Sequence, residues 1–473
     1  MSKLVSKITD RDVDFAKWYT DVVREADLVA YSSVKGSMII RPYGYAIWEN
    51  IQRILDKEFK KTGHENVQMP MFIPESLLNV EKEHVNGFAP EVAWVTHGGN
   101  EKLEERMCIR PTSEVLFCEH YKNIIKSYRD LPKLYNQWCT IVRWEKTTRP
   151  FLRSREILWQ EGHTMHKTSE EAKKETLRML KIYEDFQRNI LALPVLVGRK
   201  TEKEKFAGAE ETYTLEAMMY DGVALQNGTS HYFGNHFAKA FGIQFLDENN
   251  TLQTPYQTSW GVSTRMIGGI IMTHGDNHGL VLPPNIAPIK IIFIPITQEE
   301  SVLNTIDEII KKIPEEYTYK IDVSDKSPGY KFAEAEVKGI PVRVEVGKRD
   351  LENDEVTVVR RDTLEKYKVK TNEAADYILK LLETIQKDMY DRALQRRNEK
   401  IFDVKDYDDM KELIKEKTGF IKINWCGKTE CEEQIKNDTG YKSRCIIEEE
   451  KPTGKCIVCG KEATCRIYVG KQY

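Results

Sequence analysis

The stretch that most constrains this chain runs from Cys139 to His163, CTIVRWEKTTRPFLRSREILWQEGH. Its two arms alternate with a period of two, the pattern of strands that turn one face to a core and the other to a site. In the first arm Arg143 and Glu145 are expected to share a face. In the second, Trp159, Glu161 and His163 lie together while Leu158, Gln160 and Gly162 point away. The connecting loop is rich in Thr, Arg and Pro and carries Lys146, Arg149, Arg153 and Arg155. The pattern predicts an antiparallel hairpin that closes over an anion, with a small cationic-ligand pocket beside it.

The flanking sequence supplies elements to hold such a hairpin. Residues 12 to 26 carry Val13, Phe15, Trp18, Tyr19 and Val22 at helical spacing, and a short strand is expected at Met38–Ile40. Ile47, Ile51, Ile54, Leu55 and Phe59 stripe a long helix from about Tyr43, with Gly63 as its stop. Val67, Met69, Met71 and Ile73 alternate around Pro70 as an edge or interface strand. In CIRPTSE, residues 108 to 114, Thr112 and Ser113 read either as helix caps or, with Glu114, as ligand groups. Thr168 and Glu171 open a helix whose stripe is Leu177, Leu180, Tyr183, Phe186 and Ile190. A strand in DGVALQNGTSHYFG bears Gln226, Thr229 and His231 and bends at Asn227 and Gly228. From Gln257 a strand runs into a helix with Arg265 in its first turn, a natural phosphate site.

At 473 residues the chain divides into several domains. Three prolines in PPNIAPIK, residues 283 to 290, mark a linker. Beyond it, alternating strands and helices predict a small α/β domain with a mostly parallel sheet, closed by a long helix from about Asn372 to Asn398. The balance of 71 basic against 74 acidic residues, net −3, excludes a uniformly basic nucleic-acid coat and leaves room for local basic faces. The N-terminus does not resemble a signal peptide and no apolar run approaches the roughly 20 residues of a membrane span, so a cytoplasmic protein is expected. Six of the nine cysteines crowd the last fifty residues, implying a reducing compartment and a metal. Cys426-x4-Cys431 and Cys456-x2-Cys459 suit tetrahedral zinc, with Cys445 and Cys465 leaving the ligand set open.

RPTSE, RWE, FLRSREILWQEGHT, LQNGTSHYFG and TSWGVSTRMIGG followed by HGDNHGLVLPP together resemble the class II aminoacyl-tRNA synthetases, and among them the prolyl-tRNA synthetases of archaeal and eukaryote-like type. The resemblance covers nearly the whole chain. It implies an α+β catalytic domain, an antiparallel sheet flanked by helices, over residues 1–284. An α/β anticodon-binding domain over 288–400 and a small α+β zinc-binding domain over 401–473 follow, the last with Tyr473 folding back toward the catalytic domain. The implied reaction is ATP-dependent formation of prolyl adenylate with release of pyrophosphate, then transfer to the 3′ end of tRNA(Pro), with Mg2+ on the nucleotide and structural Zn2+ on Cys426, Cys431, Cys456 and Cys459.

Residue by residue, the resemblance gives Arg143 to the α-phosphate, Glu145 to the adenine amino group, Arg153 to phosphates or adenine, and Arg265 to the far phosphate. Gln226, Thr229 and Ser263 would line the nucleotide and magnesium side. Thr112 and Glu114 would take the ammonium of L-proline, Arg143 would be shared with it, and Trp159, Glu161, His163 and His231 would wall its ring. Arg343, Glu345, Lys348 and Arg349, with Arg360 and Arg361, are the anticodon candidates. A homodimer through the Pro70 element is implied as well. About sixty residues separate the hairpin from Gln226, which leaves no room for a large editing insertion. The competing readings are a sister class II synthetase for serine, threonine, glycine or histidine, and a catalytically silent synthetase-like RNA-binding protein; Arg143, Glu145, Gln226 and Arg265 speak against the second.

Overall fold

The computed structural model of the chain describes residues 7–80 and 92–473. The first domain contains α1 (Phe15–Glu25), β1 (Val29–Tyr31), β2 (Met38–Ile40), α2 (Pro42–Lys61), β3 (Glu65–Asn66), β4 (Phe72–Pro74), α3 (Glu75–Leu78), β5 (Ala93–Gly98), β6 (Glu101–Ile109) and α4 (Glu114–Ile124). It continues with β7 (Lys133–Val142), β8 (Glu156–His166), α5 (Ser169–Asn189), β9 (Leu196–Arg199), β10 (Glu211–Met218), β11 (Ala224–Gly234), α6 (His236–Ala240), β12 (Phe245–Leu246), β13 (Leu252–Gln253), β14 (Tyr256–Ser263) and α7 (Arg265–His274). Its main sheet runs β3-β7-β8-β14-β11-β10-β9. Only β3 lies parallel to its neighbour; the other pairs in this run are antiparallel.

The hairpin forms as the period-two pattern requires, with Cys139 opposite Trp159 and Gln137 opposite Glu161. Its first arm ends sooner than expected. Strand β7 stops at Val142, and Arg143 and Glu145 lie beyond it, where the N–H of Glu145 donates back to Arg143 O at 2.7 Å and folds the chain out of the ladder. The expected strand through Val67–Ile73 is likewise broken between β3 and β4. Pro70 has no N–H to give, and the carbonyls there are taken instead by the Arg110 guanidinium, 2.7 Å from Met69 O and 3.2 Å from Pro70 O. Asn227 and Gly228 do bend their strand: two residues of β11 stand opposite one of β10 between the Thr214–Thr229 and Glu216–Gln226 pairs.

On the back of the sheet, α2 and α5 cover a core built around Trp260. Its ring lies 5.0 Å from Phe59, 5.0 Å from His64 and 6.3 Å from Tyr183. Gly162, opposite it in the ladder, makes this possible, because a Cβ there would sit 2.0 Å from the indole. Leu177 departs from the predicted stripe of α5 and is 47 % exposed; Thr176, Met179, Leu180 and Tyr183 carry the buried face.

The second domain contains β15 (Ile291–Pro295), α8 (Glu300–Ile310), β16 (Tyr319–Ile321), α9 (Pro328–Val337), β17 (Val342–Val346), α10 (Lys348–Leu351), β18 (Glu355–Arg360), β19 (Lys366–Lys370) and α11 (Ala374–Glu399). Its sheet, β16-β15-β17-β18-β19, is mixed rather than mostly parallel. The first three strands pair in parallel through helical crossovers, whereas β17, β18 and β19 are joined by short connections that permit only antiparallel pairing. The third domain, β20 (Ile401–Asp403), α12 (Tyr407–Glu416), β21 (Phe420–Trp425), α13 (Thr429–Thr439), β22 (Lys442–Ile446) and β23 (Cys465–Gly470), extends the first. Strand β22 pairs with β9 at Ile446 and Arg199, making one eleven-stranded sheet across both.

Gly162→Ala is expected to cost about 3 kcal/mol through overpacking against Trp260; an unchanged urea midpoint would show that the indole does not need this space. Burial lowers His166 to about 4 and His274 to about 3. Their unfolded value is near 6.5, so the stability each contributes is complete above that pH and is lost as pH falls toward the folded values. The urea midpoint should therefore hold between pH 7 and 8 and drop between 6.5 and 4.5.

Candidate active site

The register of the sheet gathers one polar face. Trp159 pairs with Ser263, Glu161 with Gly261 and His163 with Ser259 across β8 and β14, while Thr229 and His231 of β11 pair with Gly261 and Ser259. The middle row, Glu161–Gly261–Thr229, has no side chain at its centre. A concavity results, lined by Thr112, Glu114, Arg143, Trp159, Glu161, Gln226, Thr229, His231, Ser263 and Arg265. Residues from five separate stretches of sequence thus meet in one cavity.

At one end lies an acidic anchor. Glu161 is 3 % exposed, and its carboxylate accepts from Thr112 Oγ1 and Ser113 N, both at 3.1 Å, and from Gln137 Nε2 at 2.7 Å. Its other contacts are His163 Nε2, at 3.0 Å, and Cys139 Sγ, at 3.6 Å. Burial alone would raise this carboxyl, but the imidazole and these donors hold it well below the usual carboxylate range. The same Thr112 hydroxyl also faces Glu114, so its one proton is shared between the two carboxylates, and the second oxygen of Glu114 lies 3.5 Å from Ser259 Oγ. Ser113 sits at the cap position of α4 with no side-chain capping bond; its hydroxyl accepts from Gln137 instead, at 2.8 Å. The cap reading is therefore not met by the Ser113 side chain. Glu114, Glu161 and His163 bring ligand atoms within 4.8 Å of one another. These already engage each other and neighbouring donors, an arrangement that suits an ammonium group better than a metal ion.

The wall beside the anchor is flat and uncharged. Trp159 faces the Arg143 guanidinium at 5.1 Å, and His231 packs on Phe206 at 4.6 Å. Burial pushes His231 down to about 3, with His163 adding to the effect, so its imidazole is neutral at physiological pH. Its Nδ1 pairs with Thr212 Oγ1 at 3.0 Å. His163 differs from expectation: it stands behind Glu161, stacked on Phe117 at 4.2 Å, and supports the anchor rather than lining the cavity.

At the other end are arginines. Arg143 Nε donates to Pro111 O at 3.2 Å; Arg265 donates to Leu152 O and Gln226 O, both at 3.3 Å. Burial lowers Arg265 to about 10, helped by the nearby Arg143 and Arg153 guanidiniums. Like charges gathered at one place mark where an anion is stabilised. The first N–H of α7 is taken by Ser263 Oγ at 3.2 Å, so the side chains, not the helix end alone, form this locus. Arg153 and Glu145 stand outside the cavity in the hairpin loop, 3.6 Å apart. That loop is seated from below. Tyr19 Oη donates to Pro150 O at 2.6 Å, and Leu152 sits where a Cβ on Gly268 would be, 2.4 Å from its Cδ2.

Sequence reasoning missed Phe206, Thr212 and Lys200, all in the cavity wall. Phe206 lies in a loop without periodicity, and no local pattern separates it from a surface turn. Among the anticodon candidates, Arg343 and Glu345 are 5 % and 9 % exposed and bond each other at 3.0 Å, with Arg343 also on Glu336 at 3.0 Å. Arg361 is bidentate on Asp276 of the first domain, at 2.6 and 2.7 Å, and Arg360 pairs with Asp362 and Asp388. Lys348 and Arg349 are exposed.

Far from the cavity, Cys426, Cys431, Cys456 and Cys459 bring their sulfurs within 4.8 Å of one another. Cys426 lies 3.7 Å from Cys431 and 3.6 Å from Cys459, against about 3.8 Å between thiolates placed tetrahedrally at 2.3 Å around one zinc. Gly460, at φ +68°, turns the second knuckle. Cys445 is buried in the seam under β9, and Cys465 stands outside the cluster.

Comparison with known proteins agrees with this architecture segment by segment. Residues 94–274 match the tRNA synthetase class II core domain (G, H, P, S and T), residues 290–381 the anticodon binding domain, and residues 407–473 the prolyl-tRNA synthetase C-terminal model. The proline–tRNA ligases of Clostridium novyi and Ruminiclostridium cellulolyticum are 59 % and 58 % identical, each over 100 % of this chain and 99 % of the relative. The crystal structure of prolyl-tRNA synthetase from Cryptosporidium parvum complexed with halofuginone and AMPPNP matches with a TM-score of 0.94 at 40 % identity, covering 100 % of both chains. With all three segments matched and full-length relatives at this identity, the chain belongs to the class II prolyl-tRNA synthetases.

Proposed function

We propose that this cavity joins L-proline to ATP and then to tRNA(Pro), as a proline–tRNA ligase. The observation that supports it most is that one concavity holds a buried acidic anchor, an uncharged aromatic wall and an arginine cluster in line. A zwitterion with a compact apolar ring fits the first two, and polyphosphate fits the third. Glu161, Glu114 and Thr112 receive the secondary ammonium, while Trp159, Phe206 and neutral His231 enclose the ring. Arg143 meets the carboxylate and the α-phosphate, and Arg265 the outer phosphates. Gln226, Thr229 and Ser263 line the nucleotide, and Arg153 and Glu145 close over adenine from the loop.

The carboxylate oxygen attacks the α-phosphorus in line and pyrophosphate leaves; a terminal ribose hydroxyl of the tRNA then takes the acyl group from the adenylate, and AMP leaves. No protein nucleophile is needed; positioning and guanidinium charge stabilisation carry the step. Bound Mg2+ would supply further charge neutralisation on the side of Gln226 and Thr229. Exposed Lys348 and Arg349 remain the anticodon contacts of the second domain, whereas Arg343, Glu345, Arg360 and Arg361 hold that domain together and to the first. The three domains are taken as 1–284, 288–400 and 401–473.

A cytoplasmic setting agrees with nine free cysteines, and among the described residues no helix is long and apolar enough to cross a membrane. Exposed Met71 and Phe72 beside Pro70 support a homodimer, for which sedimentation at micromolar concentration should give twice the chain mass. The thiolate spacing supports zinc on Cys426, Cys431, Cys456 and Cys459.

Pyrophosphate exchange should depend on proline; a signal with serine, threonine, glycine or histidine and none with proline would replace this reading. Arg143→Ala is expected to lower exchange by at least about 100-fold with an unchanged circular dichroism spectrum. Metal analysis should return about one zinc per chain, and Cys456→Ser should lose it; a fully folded protein free of zinc would contradict the site.

A further inference from the structure

Lys200 stands in the wall of the same cavity, and none of the roles above accounts for it. It follows directly on β9, where its N–H donates to Thr212 O at 2.7 Å, and it is 4 % exposed. Its ammonium donates to Glu216 Oε1 at 2.7 Å. Glu216 has no exposed surface and is the cross-strand partner of Gln226, another cavity residue. It also accepts from Thr214 Oγ1 at 2.8 Å. Its other oxygen is taken by Arg444, through Nε at 3.0 Å and a terminal nitrogen at 2.7 Å. Arg444 belongs to β22 of the third domain, is 2 % exposed, and donates onward to Gln472.

Burial alone would raise the Glu216 carboxyl, but Arg444 and then Lys200 hold it ionised. The triad therefore carries two positive charges and one negative, with Lys200 as the member that reaches the cavity. Buried ion triads are poor stabilisers, since apolar side chains of equal volume often serve as well or better. An ammonium also has three N–H groups, of which Glu216 takes one. Strand pairing at Ile446 and Arg199 fixes the approach of Arg444, because a Cβ on Gly198 would lie 2.4 Å from Ile446 O.

We propose that Lys200 is an oxyanion contact of the adenylation site, and that Glu216 and Arg444 are its positioning residues, so that the third domain completes the cavity. This rests on the adenylation reading given above. Arg444 engages one carboxylate oxygen and leaves the other to hold the Lys200 rotamer. Without Arg444 the whole carboxylate charge falls on Lys200, the ammonium is drawn away from the ligand, and the net charge of the triad drops from one to zero. The oxyanion is either the amino-acid carboxylate or the α-phosphate of the nucleotide.

Proline-dependent pyrophosphate exchange on the full, zinc-loaded chain tests this with K200Q, K200R, R444Q, R444K and the double variant K200Q/R444Q. K200Q should lower kcat/KM by about 100-fold and R444Q by about tenfold, with the double variant no lower than K200Q, because the two act in series. K200R and R444K should recover part of each loss. A higher KM for proline assigns the contact to the carboxylate, and a higher KM for ATP assigns it to the phosphate. Losses that multiply in the double variant, or wild-type kcat/KM in K200Q, would overturn the proposal. Should R444Q fail to fold, the K200Q and K200R pair decides alone. Failure of the unaltered protein to exchange with proline strikes the adenylation reading itself, and so is told apart from failure of the variants.

Discussion

The carboxylate of Glu161 is the point on which the site depends. It is buried, ionised and shared by a hydroxyl, a backbone N–H, an amide and an imidazole. A charge in such a place is tolerable only when every lone pair is met. Meeting them draws three separate pieces of chain together: the Thr112–Ser113 turn, β7 at Gln137, and β8, which carries both Glu161 and His163. The anchor that would hold a substrate nitrogen is therefore the same interaction that fixes the start of α4 against the hairpin. The cavity wall and the local fold share one set of hydrogen bonds here, so neither can be altered alone.

Much of this was legible in the sequence because a period of two is a geometric statement. Once Trp159, Glu161 and His163 are placed on one face, the ladder to β14 and β11 brings Ser263, Thr229 and His231 beside them without further information. What periodicity cannot show is depth. It placed His163 on the correct face yet could not reveal that the residue stands behind Glu161 instead of beside the cavity. It carried the strand pattern past Val142 to Glu145, where a single backbone bond to Arg143 O turns the chain away. Leu177 kept the helical spacing and still faces solvent, because the buried stripe runs through Ala172, Thr176, Met179 and Tyr183 and passes it by.

The charged residues of the second domain teach a related lesson. Composition marks Arg343, Arg360 and Arg361 as candidates for nucleic acid, but each has a carboxylate partner: Arg343 and Arg360 in their own strand region at Glu345 and Asp362, and Arg361 at Asp276, 85 residues away. Pairing at such separation has no local signal. The four cysteines are the opposite case. Two short knuckles each hold a pair of sulfurs, so the four-cysteine cluster emerges as soon as the tail folds, and Cys445 and Cys465 lie outside it.

The joint between β9 and β22 has a consequence for how the protein is made. These strands pair at Arg199 and Ile446, so at roughly 5–20 residues per second β9 waits on the order of 10–50 s on the ribosome for its neighbour. During that interval it is an open sheet edge, the kind of surface that recruits stray strands. Arg199 sits at the end of that edge, and its charge, still without its later partner Glu448, discourages wrong partners. An arginine that joins the seam of the finished sheet would then already guard the half-built one.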